Sequence, residues 1–235
     1  MITIENLTFW YLKQRRMFEN LDLKLESGHI YGLLGKNGAG KTTLLKLICG
    51  LSFPKFGSIS LDVRNPVKRE PGLLADIFFV PDEISLPSFT PEKFADIYSG
   101  FYPAFDVNQF RDYLQKFELE AHRKFPLMSN GQKKKSMIAF ALAANTPYLF
   151  LDEPTNDLDI PSKAAFRSML ANCFSEEKTI ILSTHMVRDL ESMIDTAIIL
   201  DNFRIIHNEP VDQNLESLFN DLFGITERTL TCSEH

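Results

Sequence analysis

Eight consecutive residues carry the most specific chemistry in the chain: Gly35-Lys36-Asn37-Gly38-Ala39-Gly40-Lys41-Thr42. They fit the spacing Gly-x4-Gly-Lys-Ser/Thr in full, after an apolar run at 30–34 and before a helical stretch at 43–49 closed by Gly50. Glycines at 35, 38 and 40 permit a tight turn in which Asn37, Ala39 and their neighbours aim backbone N–H groups at phosphate oxygens. The following helix start at Thr43 adds partial positive charge. Lys41 would reach the β- and γ-phosphates of ATP, and the Thr42 hydroxyl would ligate Mg2+.

A second apolar run, Tyr148-Leu149-Phe150-Leu151, ends in Asp152-Glu153. A carboxylate at a strand end is what an ATPase needs beside such a loop, so Asp152 is read as the second Mg2+ contact. Glu153, one residue beyond, is placed to polarise the attacking water. A third run at 179–182 leads into Ser183-Thr184-His185. Parallel strands present their C-terminal ends to the ligand crevice, which would put His185 at the γ-phosphate.

These residues need a scaffold that gathers strand ends. Short continuous apolar runs at 30–34, 77–80, 148–151, 179–182 and 197–200 read as strands covered on both faces, the habit of parallel sheets. Helical stretches separate most of them. Residues 2–11, 21–25 and 59–61 instead alternate apolar with polar, as half-buried antiparallel strands do. Between 81 and 144 no strand-like run occurs; Thr90-Pro91 and Asp106 open helices there, and Phe110, Tyr113, Leu114 and Phe117 share one face. The fold class expected is α/β: a P-loop NTPase core with a mixed sheet (1–80 and 145–210), including an N-terminal antiparallel β subdomain. A helical subdomain is inserted at 81–144, and a C-terminal helix with apolar Leu215, Leu218 and Leu222 precedes a polar tail within 211–235.

Composition narrows the classes further. The 235 residues are 44% hydrophobic and 24% charged with a net charge of -6, so there is no global basic footprint and no nucleic-acid partner is expected. Cys49, Cys173 and Cys232 have no paired spacing and fit a reducing compartment. The longest apolar candidate, 137–144, is far short of the ~20 residues of a membrane span. The start of the chain lacks the features of a signal peptide. Phenylalanine is in excess, 20 residues, and is read mainly as core with a share in docking around Phe78 to Phe105. The run Lys133-Lys134-Lys135 is read as a solvated helix start.

In this order the motifs resemble the nucleotide-binding subunit of ABC transporters, most like those of simple bacterial exporters, over roughly residues 2–208. The discriminating piece is Met128-Ser129-Asn130-Gly131-Gln132, similar to that family's Leu-Ser-Gly-Gly-Gln signature. From the residues alone, Ser129 is a good helix N-cap and Gly131 allows close backbone approach. The resemblance implies a head-to-tail pair of such subunits, a homodimer or a heterodimer. Each ATP would lie between one phosphate loop and the partner's signature residues, here Ser129, Gly131 and Gln132. It also implies a stacking aromatic for adenine, Tyr11 with Trp10 as runner-up, and an interface loop at Asn156-Asp157-Leu158-Asp159. His185 matches the family's switch histidine, and with Glu153 makes up the catalytic set.

Departures accompany the match. Met128 and Asn130 stand where the family has Leu and Gly. Asp82 follows Val80-Pro81 where it usually has a Gln that couples the Mg2+–ATP site to the helical subdomain; an Asp there would meet the metal through water. Two functions share these motifs. One is the ATP-hydrolysing subunit of an exporter, peripheral on the cytoplasmic face of the cell membrane, with integral membrane permease subunits as partners. The other is a soluble ATPase of the same type serving a cytoplasmic protein assembly such as iron–sulfur cluster biogenesis.

Overall fold

The computed structural model describes residues 1–11, 16–211 and 215–224. The tail expected beyond Gly224, with Cys232, lies outside the described residues. Three strands form an antiparallel sheet in the order β2-β1-β4: β1 is Ile2–Phe9, β2 Phe18–Leu25 and β4 Phe56–Leu61. Its alternating residues face inward, with Ile2, Ile4, Leu7, Leu23, Leu25 and Ile59 buried.

The second sheet has six strands in the order β5-β6-β7-β3-β8-β9. Here β3 is His29–Leu34, β5 Ile77–Val80, β6 Tyr148–Asp152, β7 Thr179–Thr184, β8 Thr196–Asp201 and β9 Arg204–Pro210. The first five pair in parallel and are the five continuous apolar runs of the sequence. Every residue of β6 and β7 is buried, as a strand covered on both faces requires. Strand β9 returns antiparallel through the turn at Asn202-Phe203, whose φ values of 44° and 63° suit a tight hairpin. It was not foreseen, because its residues are mostly exposed and leave no apolar pattern.

Helix α1 (Lys41–Ile48) follows β3 and α2 (Pro71–Ala75) precedes β5. Residues 91–143 hold α3 (Pro91–Tyr98), α4 (Val107–Lys116) and α5 (Asn130–Ala143), and α6 (Ile160–Cys173) joins β6 to β7. The caps are those expected from the residues. Thr90 Oγ1 accepts from the Lys93 N–H at 3.1 Å, and Asp106 Oδ1 accepts from Asn108 and Gln109 N–H. Helix α7 (Leu215–Phe223) buries Leu215 and Phe219, whereas Leu222 is exposed, so its apolar face is centred differently from the leucine spacing.

Much of the phenylalanine surplus is accounted for in one cluster. The Phe140 ring on α5, 1% exposed, lies 4.9 to 6.0 Å from the rings of Phe78, Phe94, Tyr102, Phe105 and Phe110. Phe78 and Phe94 are themselves buried, which removes them from the docking surface expected of 78–105; of the phenylalanines in that stretch only Phe101 is exposed. This cluster shares its core with β5 to β7, so the helices are locked to one face of the parallel sheet. Phe140→Ala is expected to cost about 3–5 kcal/mol. Denaturant unfolding measures it, and a loss under 1 kcal/mol would mean the ring cluster collapses without penalty.

Candidate functional site

Parallel pairing explains why three separated motifs meet. Leu34 at the end of β3 is in register with Thr184 on β7, and Ser183 is in register with Asp152 on β6. The C-terminal ends of three neighbouring strands therefore deliver the phosphate loop, Asp152-Glu153 and His185 to one edge of the sheet.

The loop from Gly35 to Gly40 ends in a left-handed turn, with φ of 83° at Gly38 and 108° at Gly40. A Cβ at Gly40 would also lie 2.9 Å from Phe203 and 3.1 Å from Phe18, so only glycine fits both the backbone angle and the space. Phe18 and Phe203, packed edge to face, thus back the loop. A cavity of about 230 Å³ opens at this point, lined by Asn37, Gly38, Gly40, Lys41, Thr42 and Thr43 together with Met17, Asp82 and Glu153.

Lys41 is 6% exposed, and its Nζ donates to the Gly35 carbonyl at 2.8 Å. It also lies 3.3 Å from Glu153 Oε1. Thr42 Oγ1 donates to Asp152 Oδ2 at 2.6 Å, while Ser183 Oγ donates to Asp152 Oδ1. Both carboxylate oxygens of this buried aspartate are therefore satisfied, as a buried charge demands. Glu153 adopts φ of 46°, a left-handed kink that turns it out of the strand direction. Its N–H is held by Ser183 Oγ and the Ser183 carbonyl, each at 3.1 Å. Ser183 consequently fixes the carboxylate of Asp152 and the backbone of Glu153, a role the sequence reading did not assign. Its place next to His185 and opposite Asp152 in the register was the available signal.

His185 Nδ1 is 2.9 Å from Glu153 Oε1, an ion-pair distance that lacks hydrogen-bond angles. The His185 N–H donates to Glu153 Oε2 at 3.4 Å. Glu153 is thereby shared between Lys41 and His185. An anion drawing Lys41 to itself would release one side of that carboxylate, leaving it free to accept a proton from water.

Tyr11 stands beside this cavity: its hydroxyl is 3.5 Å from Thr43 Oγ1 and its ring packs edge to face on Phe9. Trp10 is engaged elsewhere, with Arg16 and Lys55 over its ring and Phe56 beside it. Of the two aromatics, Tyr11 is the one near the phosphate loop.

Ser129, Gly131 and Gln132 do not line the phosphate-loop cavity. Ser129 and Gln132 make a reciprocal capping box at the start of α5, with distances of 3.2 and 3.0 Å, and Ser129 is exposed. A Cβ at Gly131 would meet the Asp157 carbonyl at 2.5 Å, so this glycine lets the helix start press against the loop after β6. Asp82 lines the cavity, but its Oδ1 is held by Lys134 Nζ at 3.1 Å and by Asn156 Nδ2 at 3.2 Å. Lys134 is only 2% exposed. The expectation of a solvated lysine run fails at this residue: the second lysine turns inward because a carboxylate and two carbonyls await it there.

Among the described residues no three His, Cys, Asp or Glu side chains cluster as a metal site, and no helix is long and apolar enough to cross a membrane. The hard oxygens of Thr42 and Asp152 do converge, a donor set suited to Mg2+, which takes few carboxylates and completes its shell with phosphate and water.

The ABC transporter family model matches residues 18–156, more than half of the chain. The ABC transporter ATP-binding protein YtrB of Bacillus subtilis is 30% identical over 180 residues, covering 76% of this chain and 61% of that protein. The lantibiotic transport ATP-binding protein SrtF of Streptococcus pyogenes is 30% identical over 226 residues, covering 94% and 96%. In fold, the chain is similar to the ATP-binding cassette MJ0796, solved as a dimer in a post-hydrolysis state with ADP and Pi. That similarity has a TM-score of 0.77 at 24% identity, covering 91% of this chain and 100% of the other. With the phosphate loop, the paired carboxylates and a capped signature helix already assembled, the chain belongs to the ABC transporter family, as an ATP-binding and ATP-hydrolysing subunit that powers a membrane permease.

Proposed function

We propose that two copies of this chain pair head to tail as a homodimer and hydrolyse Mg2+–ATP at two composite sites. One chain supplies Lys41, Thr42, Asp152, Glu153 and His185; the other supplies Ser129, Gly131 and Gln132. The observation that carries this reading is the sharing of Glu153 between Lys41 and His185 beside a ready phosphate cradle. The phosphate loop, Asp152-Glu153, His185 and the signature residues Ser129, Gly131 and Gln132 are all carried by the one chain, so a two-fold pair has two equivalent sites and closes on itself. The signature residues, with Ser129 exposed, Gly131 and Gln132 half-buried, and all three outside their own chain's cavity, are available to a second copy.

The chemistry follows from the residues. Backbone and Lys41 bind the phosphates, Tyr11 stacks on adenine, and Thr42 with Asp152 would hold Mg2+. Bound there, the ion neutralises charge on the transferring phosphoryl group. Once phosphate engages Lys41, Glu153 accepts the proton of the attacking water, and His185 orients the γ-phosphate side of the site.

The permease is read as a separate polypeptide on which this subunit sits at the cytoplasmic face of the membrane. The transport is read as export, on the resemblance of the Pro81-Asp82-Glu83 loop to that of simple bacterial exporters. Affinity capture of the full chain from native membranes is expected to bring down an integral membrane protein in an ATP-responsive complex. Recovery of a soluble assembly factor alone would replace the transporter reading with the cytoplasmic one. Uptake of the substrate by inverted vesicles would support export, and its loss from them would mean import.

A further inference from the structure

The contact between Asp82 and Lys134 joins parts of the molecule that are far apart in sequence. Asp82 lies at the end of β5, Lys134 lies one turn into α5, and Asn156 lies in the loop after Glu153. Lys134 Nζ donates to the Asp82 carbonyl at 2.7 Å, to Asp82 Oδ1 at 3.1 Å and to the Pro81 carbonyl at 3.4 Å. Those acceptors match the three N–H groups of an ammonium. A buried lysine keeps its charge only when so partnered. Carbonyls alone would be served by a neutral donor, so the carboxylate gives the positive charge its reason.

Asp82 in turn has a reason to need Lys134. Its side chain is 44% exposed and lines the same cavity as Lys41, Thr42 and Glu153. A phosphate chain in that cavity would face Asp82 and Glu153, with the buried Asp152 behind Thr42, a concentration of like charge that disfavours an anion. Lys41 offsets part of it from one side. Lys134 is placed to offset Asp82 from the other.

We propose that Lys134 is a positioning residue of the ATP site, neutralising and fixing Asp82 so that an acidic residue can stand beside the triphosphate. The proposal rests on ATP occupying the phosphate-loop cavity. Asp82 and Lys134 then form one unit: removing Lys134 harms nucleotide binding while Asp82 keeps its charge, and no longer does so once that charge is gone. Asn156, held by the same carboxylate oxygen, ties the unit to the loop that follows Glu153. The first turn of α5 and the hydrolytic loop are thus registered through a single charged contact.

A double-mutant cycle tests this with Lys134→Met, Asp82→Asn and the pair together, using a fluorescent ATP analogue for affinity and steady-state hydrolysis for KM and kcat. Lys134→Met leaves Asp82 unpaired and is expected to weaken nucleotide binding and raise KM about ten- to a hundredfold. The double variant, with both charges gone, is expected to recover most of that loss. Equal affinity in all folded variants, with only melting temperature lowered, would reduce Lys134 to a structural support and overturn the proposal. So would a double variant as impaired as the sum of the singles. If Lys134→Met does not fold, Asp82→Asn and the double variant still decide. Asp82→Asn removes the charge that opposes ATP, so it should bind nucleotide at least as well as the unaltered protein, and adding Lys134→Met should leave that affinity unchanged; a loss of about tenfold or more on adding it would overturn the proposal. Lys41→Ala serves as the separate control: if it keeps full ATP affinity, the site reading itself has failed rather than the role of Lys134.

Discussion

Glu153→Gln is expected to reduce ATP turnover by about 10²- to 10⁴-fold, the range for loss of a general base, while ATP binding tightens. Both effects come from one geometry. The carboxylate that would take the proton of water also holds Lys41 at 3.3 Å and His185 at 2.9 Å. An amide in its place cannot accept that proton, and it releases Lys41 to the phosphates while removing a negative charge from their surroundings. The variant should therefore be trapped with ATP as a dimer. Size-exclusion chromatography with ATP reads this directly: a shift to twice the mass is expected, and a monomer at saturating ATP would argue against self-pairing. The left-handed backbone at residue 153 need not change, since its N–H stays bonded to Ser183.

Lys41→Ala is expected to lose binding rather than turnover alone. A charge-assisted hydrogen bond to a charged group contributes about 1.5–3 kcal/mol, so affinity for ATP should fall about 10- to 100-fold. The substitution also takes away the cation that Glu153 faces in a largely buried position. Calorimetric titration and thermal melting separate the two consequences. Unchanged affinity would remove Lys41 from the phosphate site. A protein that melts lower yet binds normally would leave it as no more than the partner of Glu153.

The parts of the site that were legible in the sequence are those that obey local rules. Gly35 to Thr42 is a contiguous motif, and the apolar runs before Asp152 and Ser183 carry their own strand signal. Parallel order then brings their ends together, so the meeting of Thr42 with Asp152 follows from the sequence. The capping box at Ser129 and Gln132 is likewise local.

What remained hidden depends on partners far along the chain. Ser183 serves the Asp152 carboxylate and the Glu153 N–H only because β6 and β7 pair in that register. Phe203 supports Gly40 only because β9 folds back on β8, and an exposed edge strand announces itself weakly. Lys134 is the sharpest case. Read within Lys133-Lys134-Lys135 it looks solvated, yet it precedes the buried Ile138 by four residues and so shares its face. Helix α5 is buried around much of its girth beyond its first turn, which blurs the usual contrast between apolar and polar faces. The fate of that lysine was decided by Asp82, some fifty residues earlier, and by the end of β5.

In the head-to-tail pair, one chain holds only half of each working site. Mixing two variants that are each inactive alone, Lys41→Ala and Ser129→Arg, separates this arrangement from a site held by a single chain. A pair formed between them has one site with an intact phosphate loop from the second variant and an intact signature helix from the first. The mixture is expected to hydrolyse ATP well above the sum of its two components. A mixture no more active than that sum, from folded components shown by cross-linking to pair with each other, would contradict it.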